Sequence, residues 1–523
     1  MSVHELCAAV LALALVIGGC GGMNGAGNGP NEGEKAIPSP VNGYATQAAR
    51  IYVDESGTDW KGLSVRHADK EEEGVPLDIE RLQVAHSARY LFLRIDVGQR
   101  INLQEENALT LHLDTDNDPT TGSQALGIGA ELTWTFGERS GQVVRGETSQ
   151  DVNHADIGLT SLPTVRSETF EIALERSATP IGSAPLFPGD SLRIALSNTG
   201  DRLPDANGGV GYVLSDAETT LEEPTIDRPA ASDVRLLSYN SVNNFEENRS
   251  AIFSAERQPS FRRIFRAAGP DVIAFQEVYA QTAAQTDSVE DELGLSSKWE
   301  WAKRGSDLVL GSRYPILDTH AIPGYKDYRS GAFLLDAKAA LGTDLLVVNM
   351  HPPCCTYGPE DGEPSSDVQR QRVVDGVVAF IRKVKQGEGP LEVPPETPIV
   401  VIGDMNFVGS AQQPRTLRTG EIVNTDRFGP SAAPDWDGSA LLDTNPRQTA
   451  TPMHTTWINA ESSFPPGRLD YAYVSDSVLE VIHEFVLYTP ALSASTLGAH
   501  GLRKDDTKVA SDHLPLVVDV AAR

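Results

Sequence analysis

The chain has few cysteines, few aromatic residues and no excess of basic residues. Its 523 residues include four Cys, 7% are aromatic, and 43 Lys plus Arg stand against 73 Asp plus Glu. The resulting formal charge of −30 repels polyanions at long range and argues against broad, tight, non-specific binding of nucleic acid. A local basic groove, or metal ions that screen the site, stays compatible with it. The 40% hydrophobic and 22% charged composition indicates a globular chain with more than one core.

Long apolar runs are also scarce. The run at residues 6–17 is too short to span a bilayer, and no other segment is apolar enough to cross one. It leads into Ile17-Gly18-Gly19-Cys20, which resembles the lipobox of bacterial lipoproteins. The resemblance implies a signal peptide at residues 1–20, a lipidated Cys20, and export to a bacterial membrane or cell surface. The start of the chain has no Lys or Arg, so an ordinary secretory signal is the alternative; residues 21–45 suit a flexible tether.

Two of the cysteines, Cys354 and Cys355, are adjacent in the part of the chain that follows the signal. An exported protein meets oxidising conditions, so a vicinal disulfide is one interpretation. Two thiols that help to hold a soft metal are the other, although no CxxC spacing or set of His partners favours zinc.

Residues 46–225 show the period-two pattern of half-buried strands. Leu91, Leu93, Ile95 and Val97 share one face, and similar runs occur at residues 108–113, 131–136, 169–174 and 191–196. Several short strands with little helical periodicity predict a β-sandwich. A segment rich in Asp, Glu, Thr and Pro at residues 216–232 indicates a linker.

Residues 233–523 alternate between strands and helices. Strands are predicted at residues 234–239, 271–276, 308–311, 332–335, 345–349, 398–402, 469–474 and 516–520, with helices at residues 261–268 and from Ser366, as its cap, to about residue 385. The mixture predicts two sheets packed face to face with helices outside.

Polar residues stand where these strands begin or end. They are Asn240, Glu277, His351, Asp404, Asn406, Asp470, Asp512 and His513. One carboxylate after a strand is usually a turn former and one His is usually structural, but the set together indicates a site on a rigid sheet. Hard oxygen ligands suit Mg²⁺, Mn²⁺ or Ca²⁺ better than zinc.

The order of these motifs resembles the endonuclease/exonuclease/phosphatase family. The matching stretches are Leu237-Ser238-Tyr239-Asn240, residues 270–277, residues 311–316, Asn349-Met350-His351, Ile402-Gly403-Asp404-Met405-Asn406, Arg468-Leu469-Asp470-Tyr471 and Ser511-Asp512-His513-Leu514-Pro515. The resemblance implies a four-layer α/β/β/α sandwich at residues 233–523. It also implies a metal-dependent phosphoric ester hydrolase that uses Mg²⁺ or Mn²⁺.

The same resemblance assigns roles to the polar residues. It implies that Glu277, with Asn240 and Asp512, holds the metal. Asp404 would orient or deprotonate water, Asn406 would hold water or phosphate, and Asp470 would pair with His513. His351 would donate to a phosphate or leaving oxygen, and Arg329 would contact the phosphate; which His is the general acid stays open.

The first region resembles family-nine carbohydrate-binding modules at residues 51–60, which implies an accessory role and a glycan partner. Asp114, Asp116 and Asp118 have the alternate spacing of a calcium loop, or form an acidic turn without metal. Trp60 and Trp134 could stack on a sugar, but core positions are favoured.

The sequence therefore favours a surface phosphodiesterase or nuclease that cleaves a nucleic acid, a phospholipid head group or a small phosphodiester. A phosphomonoesterase is one alternative, and a catalytically silent carbohydrate-binding lipoprotein is another. An acidic segment at residues 357–363, beside the predicted site, argues against duplex DNA unless it is only a solvated loop.

Overall fold

The computed structural model describes residues 43–69, 77–295, 298–326, 329–355, 358–359 and 363–523. The predicted signal peptide, Cys20, most of the predicted tether and most of the acidic segment at 357–363 lie outside these ranges. Within them, no helix combines the length and the apolar composition of a membrane span.

The first part of the chain forms two antiparallel sheets. The described strands are β1 (Val65–Ala68), β2 (Ile79–His86), β3 (Tyr90–Ile101), β4 (Thr110–Asp114), β5 (Ser123–Ala125), β6 (Ile128–Ala130), β7 (Leu132–Thr135), β8 (Ser140–Arg145), β9 (Thr148–Val152), β10 (Thr160–Leu162), β11 (Ser167–Glu175), β12 (Ser191–Asn198), β13 (Asp201–Leu203) and β14 (Val210–Val213). One sheet has the order β1-β2-β3-β11-β10, and the other has the order β13-β12-β4-β7-β8-β9 with β14 beside β12. Each predicted strand coincides with an observed one.

The core between these sheets follows from the alternation in the sequence. Leu91, Leu93 and Ile95 of β3 are fully buried in one cluster with Trp134 of β7. This arrangement is consistent with the predicted β-sandwich. Trp60 and Trp134 are 1% and 0% exposed, which confirms core positions and leaves neither ring open to a sugar; the glycan partner stays a prediction.

The second part contains the remaining elements. They are β15 (Val234–Asn240), β16 (Asn243–Asn244), β17 (Arg249–Ser250), α1 (Gln258–Ala268), β18 (Val272–Gln276), α2 (Ala283–Asp287), α3 (Glu290–Leu293), β19 (Glu300–Arg304), β20 (Leu308–Ser312), β21 (Ile316–Ala321), β22 (Ser330–Leu335), α4 (Lys338–Leu341), β23 (Leu345–Met350), α5 (Ser366–Lys385), β24 (Ile399–Asp404), α6 (Gln412–Thr419), α7 (Thr425–Phe428), β25 (Leu442–Asp443), β26 (Asp470–Val474), β27 (Leu479–Val486), α8 (Ala494–His500), α9 (Asp506–Ala510) and β28 (Leu516–Ala522), with short 3-10 helices at Ala251–Phe253 and Thr489–Ala491. The predicted strands and helices are present. The cap of α5 is Ser365 rather than the predicted Ser366, and its side chain makes no capping bond.

Two six-stranded sheets form the centre of this part. Their orders are β19-β20-β18-β15-β28-β27 and β21-β22-β23-β24-β26-β25. One side chain set, which includes Leu236 and Val347, packs between the sheets. The alternate set packs outward, where Tyr239 meets Phe261 of α1 and Val348 lies in a cluster with Val374 of α5. The layers are therefore helices, sheet, sheet and helices, as predicted.

The β-sandwich is docked on the second part along a continuous contact. Val53 exchanges backbone hydrogen bonds with Pro452 and His454, at 3.0 and 3.1 Å. Phe92, on the face of β3 that points away from the sandwich core, packs in a cluster with Val53 and Met453. Residues from both sides thus complete one apolar layer.

A buried arginine crosses the same contact. Arg468 is 2% exposed, its Nη1 lies 3.3 Å from Glu55 Oε2 of the first part, and its Nη2 donates to Asp443. The guanidinium also lies 4.0 Å from the ring centroid of Tyr471. Such a charge is stable in the interior only while both carboxylates remain in place.

Candidate active site

The two central sheets bring the predicted polar residues to one edge. Asn240 ends β15, and Glu277 follows β18, its parallel neighbour. His351 follows β23 and Asp404 ends β24, which are also parallel. Parallel neighbours end at the same edge of a sheet, so these side chains converge. Asp470 joins them because it lies directly opposite Asp404 in the antiparallel pair β24–β26.

The site is a cavity of about 790 Å³, a size typical of small-molecule sites. Seven predicted residues line it: Glu277, Arg329, His351, Asp404, Asn406, Asp512 and His513. Asn240 and Asp470 are fully buried directly behind the lining, where they hydrogen-bond to Asp404 and His513. The structure therefore brings together all the residues that were predicted for the catalytic domain.

Two histidines flank the buried carboxylate of Asp404. His351 Nε2 lies 3.4 Å and His513 Nε2 lies 3.7 Å from Asp404 Oδ2. Each ring is held from behind by a second carboxylate: His513 Nδ1 donates to Asp470 Oδ2 at 2.8 Å, and His351 Nδ1 donates to Asp307 Oδ2 at 2.5 Å. The pairing of Asp470 with His513 was predicted, whereas Asp307 was not.

The charges of this group keep both rings protonated near neutral pH. Burial alone would lower the pKa of His351, but Asp307 and Asp404 raise it to about 9. Burial opposes protonation of His513 as well, but Asp470 and Asp404 raise its pKa to about 10. Burial raises the pKa of Asp404, and the two imidazolium rings oppose that rise. The site thus presents two cationic donors beside a carboxylate of raised basicity.

Asp307 is the main site residue that the sequence did not predict. Its carboxylate is fully buried, accepts from the Glu277 backbone at 3.0 Å as well as from His351, and has its pKa lowered to about 2, because His351 and Arg329 outweigh its burial. It stands in the turn Gly305-Ser306-Asp307 before β20, where an Asp is ordinarily a turn former. Only its spacing before a buried strand could have suggested a role.

Arg329 lies where the sequence placed a phosphate contact. Its Nη1 is 3.3 Å from the Tyr279 hydroxyl and 3.9 Å from Asp307 Oδ1. Tyr279 also lines the cavity and was not predicted. The guanidinium is thereby held at the cavity, with two partners that fix its position.

Asn240 and Asn406 position carboxylates. The amide of Asn240 donates to Glu277 Oε1 and to Asp404 Oδ2, both at 3.0 Å. Its oxygen accepts from the Val242 backbone at 3.0 Å, so this amide supports Glu277, the metal ligand that was predicted beside it; the metal-ligand role predicted for Asn240 stays a prediction. Asn406 donates from Nδ2 to Asp404 Oδ2 at 3.0 Å and to the Pro352 carbonyl at 3.1 Å.

The donor set fits a hard divalent cation. Glu277 and Asp512 present half-buried carboxylates to the cavity, and backbone and indole N–H groups orient them: Asn243 N donates to Glu277 at 2.7 Å, and Trp457 Nε1 donates to Asp512 at 3.1 Å. Asp404, Asp470 and His513 also have ligand atoms within 4.8 Å of one another. Because His513 Nδ1 is already bound to Asp470, that group suits proton transfer, and Glu277 with Asp512 as ligands of the cation stays a prediction.

The predicted calcium loop forms a different set of ligands. Asp114 and Asp116 lie together with Glu131, which was not predicted, whereas Asp118 turns to Thr120 at 2.7 Å. Asp114 is fully buried, and its Oδ2 has no hydrogen-bond partner among the described residues. An unpartnered buried carboxylate oxygen costs free energy unless a cation binds it.

The adjacent cysteines lie in the lining of the cavity. Their Sγ atoms lie 2.6 Å apart. The predicted alternatives, a disulfide and a soft metal site, both stay open; no group of metal ligands among the described residues includes either thiol.

Comparisons with known proteins agree with this arrangement. Residues 255–513 match the family described as "Endonuclease/Exonuclease/phosphatase family". Among solved structures, the chain is similar to ANGEL2, a 2′,3′-cyclic phosphatase, with 16% identity over 55% of this chain and 95% of that one and a TM-score of 0.37. It is also similar to sphingomyelinase C from Streptomyces griseocarneus, with 15% identity over 55% and 98% and a TM-score of 0.33. A 3′-5′ exonuclease from Neisseria meningitidis gives 15% identity over 55% and 99%, with a TM-score of 0.32. No curated protein sequence matches the chain.

Proposed function

We propose, from the premise that residues 255–513 are a domain of the endonuclease/exonuclease/phosphatase family, that the chain hydrolyses phosphodiesters with Mg²⁺ or Mn²⁺. The chain is a metal-dependent phosphoric ester hydrolase. The observation that supports a diester as substrate is the pair of histidines on either side of Asp404, whose pKa values are raised to about 9 and about 10. Two cationic donors suit a reaction in which one oxygen leaves while the others carry negative charge.

The residues divide the reaction among them. A divalent cation bound by Glu277 and Asp512 would supply positive charge to the phosphate. Asp404 accepts a proton from the attacking water, since its raised pKa makes it a stronger base than an exposed carboxylate. His351 and His513 donate to phosphate oxygens, and one of them protonates the leaving oxygen. Loss of one such donor typically raises the barrier by about 3 kcal/mol.

The central test is hydrolysis of bis-p-nitrophenyl phosphate by the full chain. We expect activity that EDTA removes and that Mg²⁺ or Mn²⁺ restores. Asp404→Asn and His513→Ala should each reduce turnover by at least roughly 100-fold with an unchanged melting temperature, because both act on the reacting atoms. Asp344→Asn, which alters a buried carboxylate paired with Lys338, serves as the control. Cleavage of p-nitrophenyl phosphate alone would instead establish the phosphomonoesterase, and no hydrolysis of either substrate would favour the silent carbohydrate-binding lipoprotein.

The choice of general acid is tested with two leaving groups. A variant that lacks the acid should lose far more activity toward an alkyl ester than toward a p-nitrophenyl ester, because p-nitrophenolate leaves without a proton. Comparison of His351→Ala with His513→Ala identifies the acid as the residue whose loss shows that difference.

We also propose that the protein is exported and anchored by lipid on Cys20. The support is the short apolar run that ends at Ile17-Gly18-Gly19-Cys20. Labelled palmitate should enter the wild-type protein in a bacterial host and not the Cys20→Ser variant. Labelling of both, or of neither, would contradict the anchor.

A further inference from the structure

The β-sandwich reaches the catalytic cavity. Asn102 and Gln104, which follow β3, and Thr164, which follows β10, line the same cavity as Asp404 and His513. Gln104 and Thr164 are buried, at 8% and 7% exposure. The pocket is therefore formed by both parts of the chain.

Two contacts hold this wall against the catalytic part. Thr164 Oγ1 donates to the Phe407 carbonyl at 2.7 Å. Arg139 of the sandwich donates from Nη1 to the Gln104 carbonyl at 2.6 Å, and its guanidinium lies 4.1 Å from the ring centroid of Phe464, which also lines the cavity. Arg139 thus fixes a polar segment of the sandwich beside an aromatic ring of the catalytic part.

The charge of the lining limits the substrate to few phosphates. Among the described lining residues, Arg329 is the only Lys or Arg. Glu105 and Glu363 also line the cavity, and they are paired with Arg139 and Lys326, which do not. Proteins that bind nucleic acid neutralise several phosphates with Lys and Arg. Outside the two histidines of the catalytic centre, a polyanion would therefore find one basic partner in this lining, Arg329.

The rest of the lining is suited to an apolar group. Phe464, Pro465, Leu469 and Trp457 all line the cavity. Phe245, 72% exposed, also lines it and stands against Tyr279 with ring centroids 5.9 Å apart. An uncharged ring or chain that is attached to the phosphate can pack against such residues and is thereby removed from water.

We propose that the β-sandwich is a wall of the substrate pocket, and that the pocket takes a small phosphodiester with one phosphate and an uncharged apolar substituent packed against Phe464. This inference rests on the proposed phosphodiesterase function and narrows its substrate class. The sandwich then selects the substrate directly, in place of the accessory role that the sequence predicted for it.

The first experiment uses the full chain and narrows the pocket from the side of the β-sandwich. Asn102→Trp places a large ring in the pocket, and Ala108→Trp adds the same ring at an exposed position nearby that does not line it. We expect Asn102→Trp to raise KM for bis-p-nitrophenyl phosphate about ten-fold with kcat within about two-fold, which is the signature of lost ground-state binding. Ala108→Trp should change neither. An unchanged KM in Asn102→Trp would refute the proposal that the β-sandwich forms a wall of the pocket.

The second experiment measures binding without catalysis. Calorimetry with Mg²⁺ compares diphenyl phosphate with dimethyl phosphate, two diesters with poor leaving groups. We expect diphenyl phosphate to bind at least about ten-fold more tightly, and Phe464→Ala to remove that preference, because the ring provides the apolar contact. Equal affinities in the wild type would overturn the apolar subsite. Binding without any hydrolysis of the activated substrate would refute the proposed function and leave the pocket assignment intact.

The third measurement is the salt dependence of kcat/KM. A substrate with a single phosphate carries no layer of condensed counterions, so the slope of log(kcat/KM) against log salt should be about −1 or shallower, whereas a polyanion that is contacted at several phosphates gives a slope of several units. A DNA oligonucleotide that is cleaved with higher kcat/KM than bis-p-nitrophenyl phosphate, with a slope of several units, would overturn the substrate class.

Discussion

Replacement of Asp307 by Asn tests whether a carboxylate that is distant in sequence but in contact with His351 keeps this histidine protonated. The substitution preserves the shape of the side chain and its contact with the Glu277 backbone, but it removes the charge that lies 2.5 Å from His351 Nδ1. His351 has a pKa of about 9, against an ordinary 6.5, with Asp307 as the largest cause that raises it. The difference corresponds to about 3 kcal/mol of selective stabilisation of the imidazolium.

The magnitude of the effect depends on pH in a defined direction. At pH 8 a ring with a pKa of 9 is about 90% protonated, whereas a ring returned to 6.5 is about 3% protonated. In the variant, burial still lowers the pKa of His351 and Asp404 still raises it. With these two effects balanced at the ordinary value, the ratio of wild-type to variant kcat/KM should be roughly 30 at pH 8 and should shrink toward about 2 at pH 6.5.

The assay is the pH profile of kcat/KM for bis-p-nitrophenyl phosphate from pH 5.5 to 9. Asp344→Asn should leave the profile unchanged, because its partner Lys338 lies outside the cavity lining. A constant ratio across the range would mean that Asp307 supports the structure of the site and not the protonation of His351. Melting curves at each pH separate that outcome from loss of folded protein.

Two further predictions concern the β-sandwich. Ca²⁺ should raise the melting temperature of the wild type and not of Asp114→Asn, because the buried, unpartnered Asp114 Oδ2 gains a ligand; Asp151→Asn, an exposed control, should keep the shift. Glu171 is buried, which raises its pKa from 4.5 to about 8. Because the folded protein holds the proton of Glu171 more tightly than the unfolded chain does, the stabilisation is complete below pH 4.5 and is lost as pH rises through 8. The free energy of unfolding should therefore fall over this window by up to about a few kcal/mol. Glu171→Gln should flatten that fall. If urea titrations at pH 5 and pH 8 give the same change in the free energy of unfolding for the wild type and for Glu171→Gln, the assignment is refuted.

The sequence predicted the strands and the convergence of polar groups for one physical reason. Buried strands of period two can be recognised locally, and the residues that follow them inherit positions from the sheets. His351, Asp404 and His513 follow this rule. Asp307 does not, because an Asp in a turn before a strand is common. Its role in the site depends on its contact with His351, which lies 44 positions away in the sequence.

The contact between the two parts of the chain was beyond local pattern. Phe92 alternates with Leu91 and Leu93 in β3, and all three residues are apolar. The longer alternation indicates that Leu91 and Leu93 face the sandwich core, but nothing in that run tells that Phe92, on the other face, meets Met453. Two of the three residues around Asp114 were predicted, and Glu131 was missed for a similar reason, since it stands just before β7, the neighbour of β4 in the sheet.

The buried Arg468 has a consequence for how this protein can be altered. It stands two residues before Asp470, which holds His513, and its guanidinium is balanced by Glu55 of the sandwich and Asp443 of the catalytic part. A truncated catalytic part would keep the arginine and lose one of its two counter-charges next to the reacting group. The two parts are therefore a poor target for recombination with those of other proteins, and a functional chimera would have to exchange Glu55 and Arg468 together.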